Sequence, residues 1–124
     1  MAEGWSVLDE QRVLSGSEVR ALLSRNVDEG RLTTYLQSDG GRLLTFVSNG
    51  TRAMVVLMER PGDPGEHAVS PGAVGSSDGY ALENGQVDTY DDADTVPLGD
   101  ALAVVQSIIE AGRPPSGTSW SVDR

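Results

Sequence analysis

The sequence predicts an α+β fold, in which two helices pack on a mainly antiparallel sheet built from hairpins and a meander. Segments 15–26 and 97–112 repeat their apolar residues at helical spacing, whereas the segments between them alternate with a period of two. Asn-Gly pairs at 49–50 and 84–85 separate alternating segments, and two-residue hairpin turns prefer this pair. At 124 residues the chain fits a single domain, 1–124, with one core.

The N-terminal part predicts a short strand over 4–8 and then a helix with a marked start. Ser15 can cap this helix while Glu18, three residues later, reaches back to the cap backbone. Asn26 is a residue that tolerates the left-handed conformation, so we expect the helix to end there. The predicted buried stripe consists of Val19, Leu22 and Leu23.

The central part predicts paired strands over 32–37, 42–48 and 52–58, joined by turns at 39–41 and 49–50. A two-residue turn at Asn49-Gly50 would place Phe46 opposite Ala53 and Leu44 opposite Val55. The other face of these strands is also apolar, with Leu43, Val47, Met54 and Val56. We therefore expect central strands that are partly covered on both sides.

Residues 61–79 contain three Pro and five Gly without any period. Such a segment is typical of a long loop, and we expect it to be the most mobile or functional part of the chain.

A second hairpin is predicted around Asn84-Gly85, from residues 80–83 and 86–89. A two-residue turn would pair Leu82 with Val87 and Tyr80 with Thr89 on an apolar face. The opposite face would then turn carboxylates toward water and continue past the strand end. The residues of this predicted acidic face are Glu83, Asp88, Asp91, Asp92 and Asp94.

The C-terminal part predicts a helix that Pro97 opens at its first turn and that Gly112 and Pro114 end. Its apolar stripe comprises Leu98, Ala101, Leu102, Val105, Ile108 and Ile109. The alternation around Trp120 and Val122 predicts a last strand that returns to the sheet. Phe46, Tyr80 and Trp120 are expected in the core, whereas Tyr90, beside Asp88 and Asp91, is expected on an exposed rim.

Charge is strongly segregated along the chain, whose formal net charge is -10. All nine basic residues are Arg, and none lies between 61 and 112. That window holds ten carboxylates: Asp63, Glu66, Asp78, Glu83, Asp88, Asp91, Asp92, Asp94, Asp100 and Glu110. A direct nucleic-acid ligand is disfavoured, because affinity for phosphate chains comes from cationic contacts. A basic protein partner is favoured, and the alternative is a solvated surface that only maintains solubility.

The composition also limits the cellular compartment that we expect for the protein and the catalytic mechanisms open to it. The chain has no Cys, no apolar run of membrane-spanning length and no signal-peptide pattern, so we expect a cytoplasmic protein without membrane contact. The absence of Lys excludes a Walker-type phosphate grip and Schiff-base chemistry. Arg in place of Lys is also typical of GC-rich bacterial genomes.

The sequence matches no specific catalytic motif. The single His, His67, lies in the predicted loop without the spacing of a triad, and we interpret it as a bystander. The Gly-rich stretch 72–79 matches neither a dinucleotide fingerprint nor a nucleophile elbow. The acidic run 88–94 lacks the ligand series of a calcium loop. We expect no metal, no cofactor and no enzyme activity, although a carboxylate pair within 61–94 leaves a minor enzyme alternative.

The C-terminal third resembles the Imm1 family of bacterial immunity proteins. The resemblance rests on order and spacing: residues 80–86 (YALENGQ), then Val96-Pro97-Leu98 opening a helix with Asp100-Ala101, then Gly112-Arg113-Pro114 leading to Trp120. From about residue 17 the chain also follows that family's plan of a short helix and a meander of strands.

This resemblance implies an α+β protein encoded beside a secreted polymorphic toxin, often a deaminase or nuclease, which it blocks by binding. The expected partner is a cognate toxin with a basic surface. The predicted partner-binding residues are Glu83, Asp88, Tyr90, Asp91, Asp92 and Asp94. The alternative function is that of a chaperone or adaptor for a secreted substrate, which would release its client intact.

Overall fold

The computed structural model describes residues 3–123 and has an α+β fold, which confirms the predicted class. In chain order the elements are β1 (Trp5–Val7), α1 (Gly16–Asp28), β2 (Thr33–Ser38), β3 (Leu43–Ser48), β4 (Arg52–Met58), β5 (Glu66–Ala68), β6 (Ser76–Ala81), β7 (Val87–Asp91), a 3-10 turn (Asp92–Asp94), β8 (Val96–Pro97), α2 (Leu98–Ala111) and β9 (Trp120–Val122). The main sheet runs in the order β1-β2-β3-β4-β5-β9, with β8 paired to β4. The small sheet consists of β6 and β7.

Both helices and one face of the main sheet enclose the core. The two helices pack against each other, and α2 also contacts β4. Strand residues alternate between this inner face and the opposite outer face, so β2 and β4 bury every second side chain, whereas β3 also buries Val47 on the outer face. The most buried core residues include Trp5, Val19, Leu23, Leu36, Leu44, Phe46, Val55, Val105 and Ile108.

Helix α1 begins as the sequence predicts but ends later. The Glu18 amide donates to Ser15 Oγ (3.1 Å) and the Ser15 amide donates to Glu18 Oε1 (2.9 Å), which completes the capping box. The predicted end at Asn26 is wrong. Gly30 takes the left-handed conformation instead (φ +83°), because it has no Cβ to clash, and the Arg31 amide bonds back to the Asn26 carbonyl (2.8 Å).

The β3–β4 hairpin forms, but its predicted register is wrong by two residues. Phe46 lies opposite Val55 and Leu44 opposite Leu57. The cause is the side chain of Asn49, whose Oδ1 accepts from the amides of Thr51 (2.9 Å) and Arg52 (2.8 Å) and moves the turn one residue along. A shift of two preserves the faces, so both strands are central, as predicted, and apolar on both sides.

The predicted loop over 61–79 is wrong in part, since it contains β5 and the start of β6. Asp63 is buried, and its Oδ2 accepts from the Glu59 amide (2.9 Å). Gly65 then turns the chain into β5 with φ +87°, where a Cβ would lie 3.0 Å from the Leu57 carbonyl oxygen. These local contacts give a defined structure to a segment whose sequence shows no periodic pattern.

The β6–β7 hairpin also forms with a different register. Tyr80 lies opposite Asp88 and Ala81 opposite Val87, one residue away from the prediction. The turn has three residues, because the Leu82 amide bonds to the Gln86 carbonyl (2.8 Å) and Gly85 takes φ +87°. A shift of one exchanges the faces, so Val87 is 63% exposed while Asp88 shares the side of the buried Tyr80.

The C-terminal elements follow the prediction closely. Helix α2 carries the predicted buried stripe and ends at Gly112, whose φ of +80° is left-handed. Pro97 precedes the helix, in β8, rather than lying in its first turn. Strand β9 returns to the sheet beside β5, and Trp120 packs against the core. None of the helices within residues 3–123 has the length and apolar character needed to cross a membrane.

Candidate functional site

The outer face of the main sheet is only partly covered. One row of paired residues crosses it from β2 to β9: Tyr35, Thr45, Val56, His67 and Ser121. The small sheet covers the β2–β3 side, where Thr33 Oγ1 donates to the Ala81 carbonyl (2.7 Å) and Asn49 Nδ2 donates to the Asp78 carbonyl (3.1 Å). The β4–β5–β9 side of the face stays open.

An open groove of about 620 Å3 lies between β7 and this uncovered part of the sheet. Its floor is largely apolar, with Met54, Val56 and Pro64. One wall is β7, through Thr89, Tyr90 and Asp91, and the far rim holds His67, Asp94, Ser121 and Asp123. We call this the acidic groove, because every charged group that lines it is Asp, apart from the titratable His67.

His67 joins two parts of the groove rim. Its Nδ1 lies 2.8 Å from Asp123 Oδ2 and its Nε2 lies 3.0 Å from Asp94 Oδ1. A neutral imidazole carries one N–H, whereas the imidazolium carries two and can donate to both carboxylates. Burial lowers the pKa of His67, but the hydrogen bonds to Asp94 and Asp123 outweigh it and raise the pKa above the ordinary value. His67 therefore lies on β5 rather than in the predicted loop, and it bonds to two carboxylates.

The pH dependence of stability is expected to reveal this imidazolium. Because the folded pKa of His67 is raised, its contribution is complete below the unfolded value of about 6.5 and is lost as pH rises through the folded value. We expect the stability advantage of the wild type over His67→Gln to shrink between pH 5.5 and 8.5 in urea unfolding. A difference that stays constant across this range would contradict the bonded imidazolium.

Contacts with two neighbouring side chains fix Tyr90 in the groove wall. Its ring packs on buried Tyr80, with centroids 4.7 Å apart at 50°, and its hydroxyl donates to Asp88 Oδ2 (3.0 Å). Burial, and next the hydrogen bond to Asp88, raise the pKa of Tyr90 to about 12. Tyr90 therefore remains a neutral, oriented aromatic ring, and it is half-buried rather than on the exposed rim that the sequence predicts.

Arg52 fixes the 3-10 turn that carries Asp94 into the groove. Its guanidinium donates to Thr95 Oγ1 (2.8 Å) and to the carbonyls of Asp92 (3.0 Å) and Thr95 (2.9 Å). The Asp92 carboxylate accepts from Ser77 Oγ (2.6 Å) and lies 3.7 Å from Arg52 Nε. Asp92 thus connects the small sheet to Arg52.

The predicted partner-binding residues do not form one continuous face. Tyr90, Asp91 and Asp94 line the acidic groove, Asp88 lies behind Tyr90, and Asp92 is bonded to Ser77. Glu83 sits at the tip of the β6–β7 turn and lines a different cleft. The single acidic face that the sequence predicts is wrong, because the one-residue register shift turns Asp88 to the side of buried Tyr80, while exposed Asp91 lies on the opposite side of β7.

Sequence reasoning missed His67, Asp123 and the apolar floor. His67 and Asp123 are 56 positions apart and meet only because β9 pairs with β5. The one available signal was the apolar outer face of β4, which the sequence does show through Met54 and Val56.

A second cleft, of about 640 Å3, lies beside α1, between the β1–α1 connection and the tip of the small sheet. Its charged lining mixes both signs, with Arg12, Arg25 and Arg31 beside Asp9, Glu10, Glu18 and Glu83. The cleft therefore selects neither cations nor anions by charge, which makes it a weaker candidate than the acidic groove.

Residues 3–123 contain no cluster of three or more His, Asp or Glu side chains that could hold a metal ion. The groove instead offers oriented carboxylates, an aromatic ring and an apolar floor, an arrangement suited to holding a basic and partly apolar partner. No family model matches the chain, and no curated protein matches it.

Proposed function

We propose that this protein is an immunity protein that binds and inhibits a cognate bacterial toxin acting on nucleic acid, a deaminase or a nuclease. The proposed place of action is the bacterial cytoplasm, where such a toxin would reach nucleic acid. The observation that carries the proposal is the acidic groove, in which Asp91, Asp94 and Asp123 surround an apolar floor. The proposed partner surface is basic.

Charge complementarity supports this partner. A toxin that handles nucleic acid needs a cationic cleft to hold phosphates. Carboxylates placed in that cleft imitate phosphate and exclude the substrate. The negative field of a chain with a formal net charge of -10 also steers a basic partner toward it, with association rates approaching about 10⁸ M⁻¹s⁻¹ at low salt.

Affinity, unlike association rate, comes from a few well-packed anchors. Tyr90 supplies one, because its ring is fixed against Tyr80 before any partner arrives. The adjacent floor of Met54 and Val56 supplies apolar area next to the carboxylates. The combination of a rigid aromatic ring, apolar floor and acidic rim supports tight protein binding better than charge alone.

The test uses the toxin encoded beside this chain and measures its activity on DNA and RNA with added immunity protein. Asp91→Arg is expected to weaken inhibition at least 10-fold, since Asp91 is exposed in the groove wall. Asp28→Arg is the matched control, because it makes the same charge change on exposed Asp28, outside the groove lining.

Equal inhibition by the two variants would contradict the groove as the binding site. Binding without any loss of toxin activity would contradict the inhibitor and support the adaptor alternative. Absence of a complex with the wild type would overturn the proposed function itself.

A further inference from the structure

Strand β7 has one bonded edge and one open edge. At its two ends, the Gln86 carbonyl accepts from the Leu82 amide (2.8 Å) and the Asp92 amide donates to the Gly75 carbonyl (3.0 Å). Because alternate residues of an antiparallel strand bond to the same neighbour, Asp88 and Tyr90 also direct their backbone groups toward β6. The backbone groups of residues 87, 89 and 91 therefore point away from β6.

This open edge faces the acidic groove. Thr89, Tyr90 and Asp91 all line it, although successive side chains of a strand point to opposite faces. The groove therefore runs beside the backbone of residues 89–91, at the C-terminal end of β7. On β6, the other strand of the small sheet, the carbonyls of Ala81 and Asp78 already accept hydrogen bonds from the side chains of Thr33 and Asn49. Within residues 3–123, β7 pairs with β6 alone.

The groove also leaves space beside the open edge of β7. The small sheet forms a second layer of two strands over a main sheet of seven. Neighbouring strands lie about 4.8 Å apart, and the groove beside β7 is lined by outer-face residues of β4, β5 and β9. Met54, Val56 and His67 are among these lining residues.

We propose that an extended segment of the partner adds to the open edge of β7 as a third strand of the small sheet. This inference rests on the proposed function, since it identifies the part of the toxin that the acidic groove receives. Main-chain hydrogen bonds to residues 87, 89 and 91 pair the added segment with β7. The lining of the acidic groove determines which side chains of that segment fit.

The register of the small sheet defines the chemistry of the segment. Directly opposed residues of paired strands project to the same face. A residue opposite Tyr90 therefore points to the main sheet, over Met54 and Val56, and is apolar. A residue opposite Asp91 points to the solvent side beside that carboxylate and is cationic. The added strand thus alternates apolar and basic residues.

The test measures fluorescence anisotropy of a labelled nine-residue peptide that alternates Arg and Val. The wild type is expected to bind it, and methylation of alternate peptide amide nitrogens is expected to weaken binding at least 10-fold. In the protein, Thr89→Pro removes an edge N–H without removing a bond to β6, and edge strands tolerate Pro. We expect Thr89→Pro to weaken binding at least 10-fold.

Equal affinities for the methylated and unmethylated peptides would overturn strand addition, whether or not Thr89→Pro folds. That result would leave the proposed function intact if Asp91→Arg still weakened toxin inhibition at least 10-fold. No binding of the unmethylated peptide at millimolar concentration would also overturn the inference. A dimer of the wild type that Thr89→Pro dissociates would assign the edge to a second copy of this chain and would overturn it too.

Discussion

Replacing Arg52 by Ala is expected to lower the free energy of unfolding by about 3 kcal/mol, because buried acceptors lose a charged donor. The Arg52 side chain is 20% exposed and donates to Thr95 Oγ1 and to the carbonyls of Asp92 and Thr95. Thr95 is fully buried, so water cannot replace the two bonds to Thr95. Urea unfolding at neutral pH measures the change.

The control is Arg20→Ala on the exposed surface of α1. Arg20 makes one hydrogen bond, to Gln106 Oε1 at 3.1 Å, and its removal is expected to cost less than about 0.5 kcal/mol. If both variants lose less than 1 kcal/mol, Arg52 does not hold the 3-10 turn in the way described.

Replacing Tyr90 by Ala is expected to weaken toxin binding about 100-fold, because aromatic anchors at interface centres carry most of the binding free energy. The variant removes the groove-lining ring and its packing on Tyr80. Isothermal titration with the purified toxin measures the dissociation constant. Thermal unfolding of the free variant separates a loss of contact from a loss of fold.

Two controls define the role of this ring. Tyr90→Phe keeps the ring and removes only the hydrogen bond to Asp88, so we expect binding within about 3-fold of the wild type. Val87→Ala shortens an exposed side chain on the other face of β7 and is expected to change binding as little. Equal losses in Tyr90→Ala and Val87→Ala would contradict an anchor at Tyr90.

The sequence predicts the class of fold and most elements because local chemistry determines them. The capping box at Ser15 and Glu18, the left-handed Gly112 and the apolar stripe of α2 each involve neighbours in the chain. Both Asn-Gly hairpins are correct as hairpins. Local patterns of this kind require no knowledge of the tertiary structure.

The registers could not be predicted in the same way, because they depend on the turn bonds. The Asn49 side chain displaces one turn, and a three-residue turn with Gly85 displaces the other. The first shift of two preserves the faces, whereas the second shift of one reverses them. The turn thus decides which side of β7 each carboxylate occupies.

The candidate site was predicted only where it is contiguous in the chain. Tyr90, Asp91 and Asp94 were found because they are near neighbours in an acidic run. His67 and Asp123 come from strands that pair across the sheet. Their meeting depends on the tertiary fold, which a single sequence does not encode as a local pattern.

The most direct measurement of the central claim is the footprint of the bound toxin on this chain by hydrogen–deuterium exchange. Docking in the acidic groove predicts slower exchange within 87–94 and 119–123, with residues 8–25 beside the second cleft unchanged. Protection confined to residues 8–25, with the groove segments exchanging as in the free protein, would contradict the account.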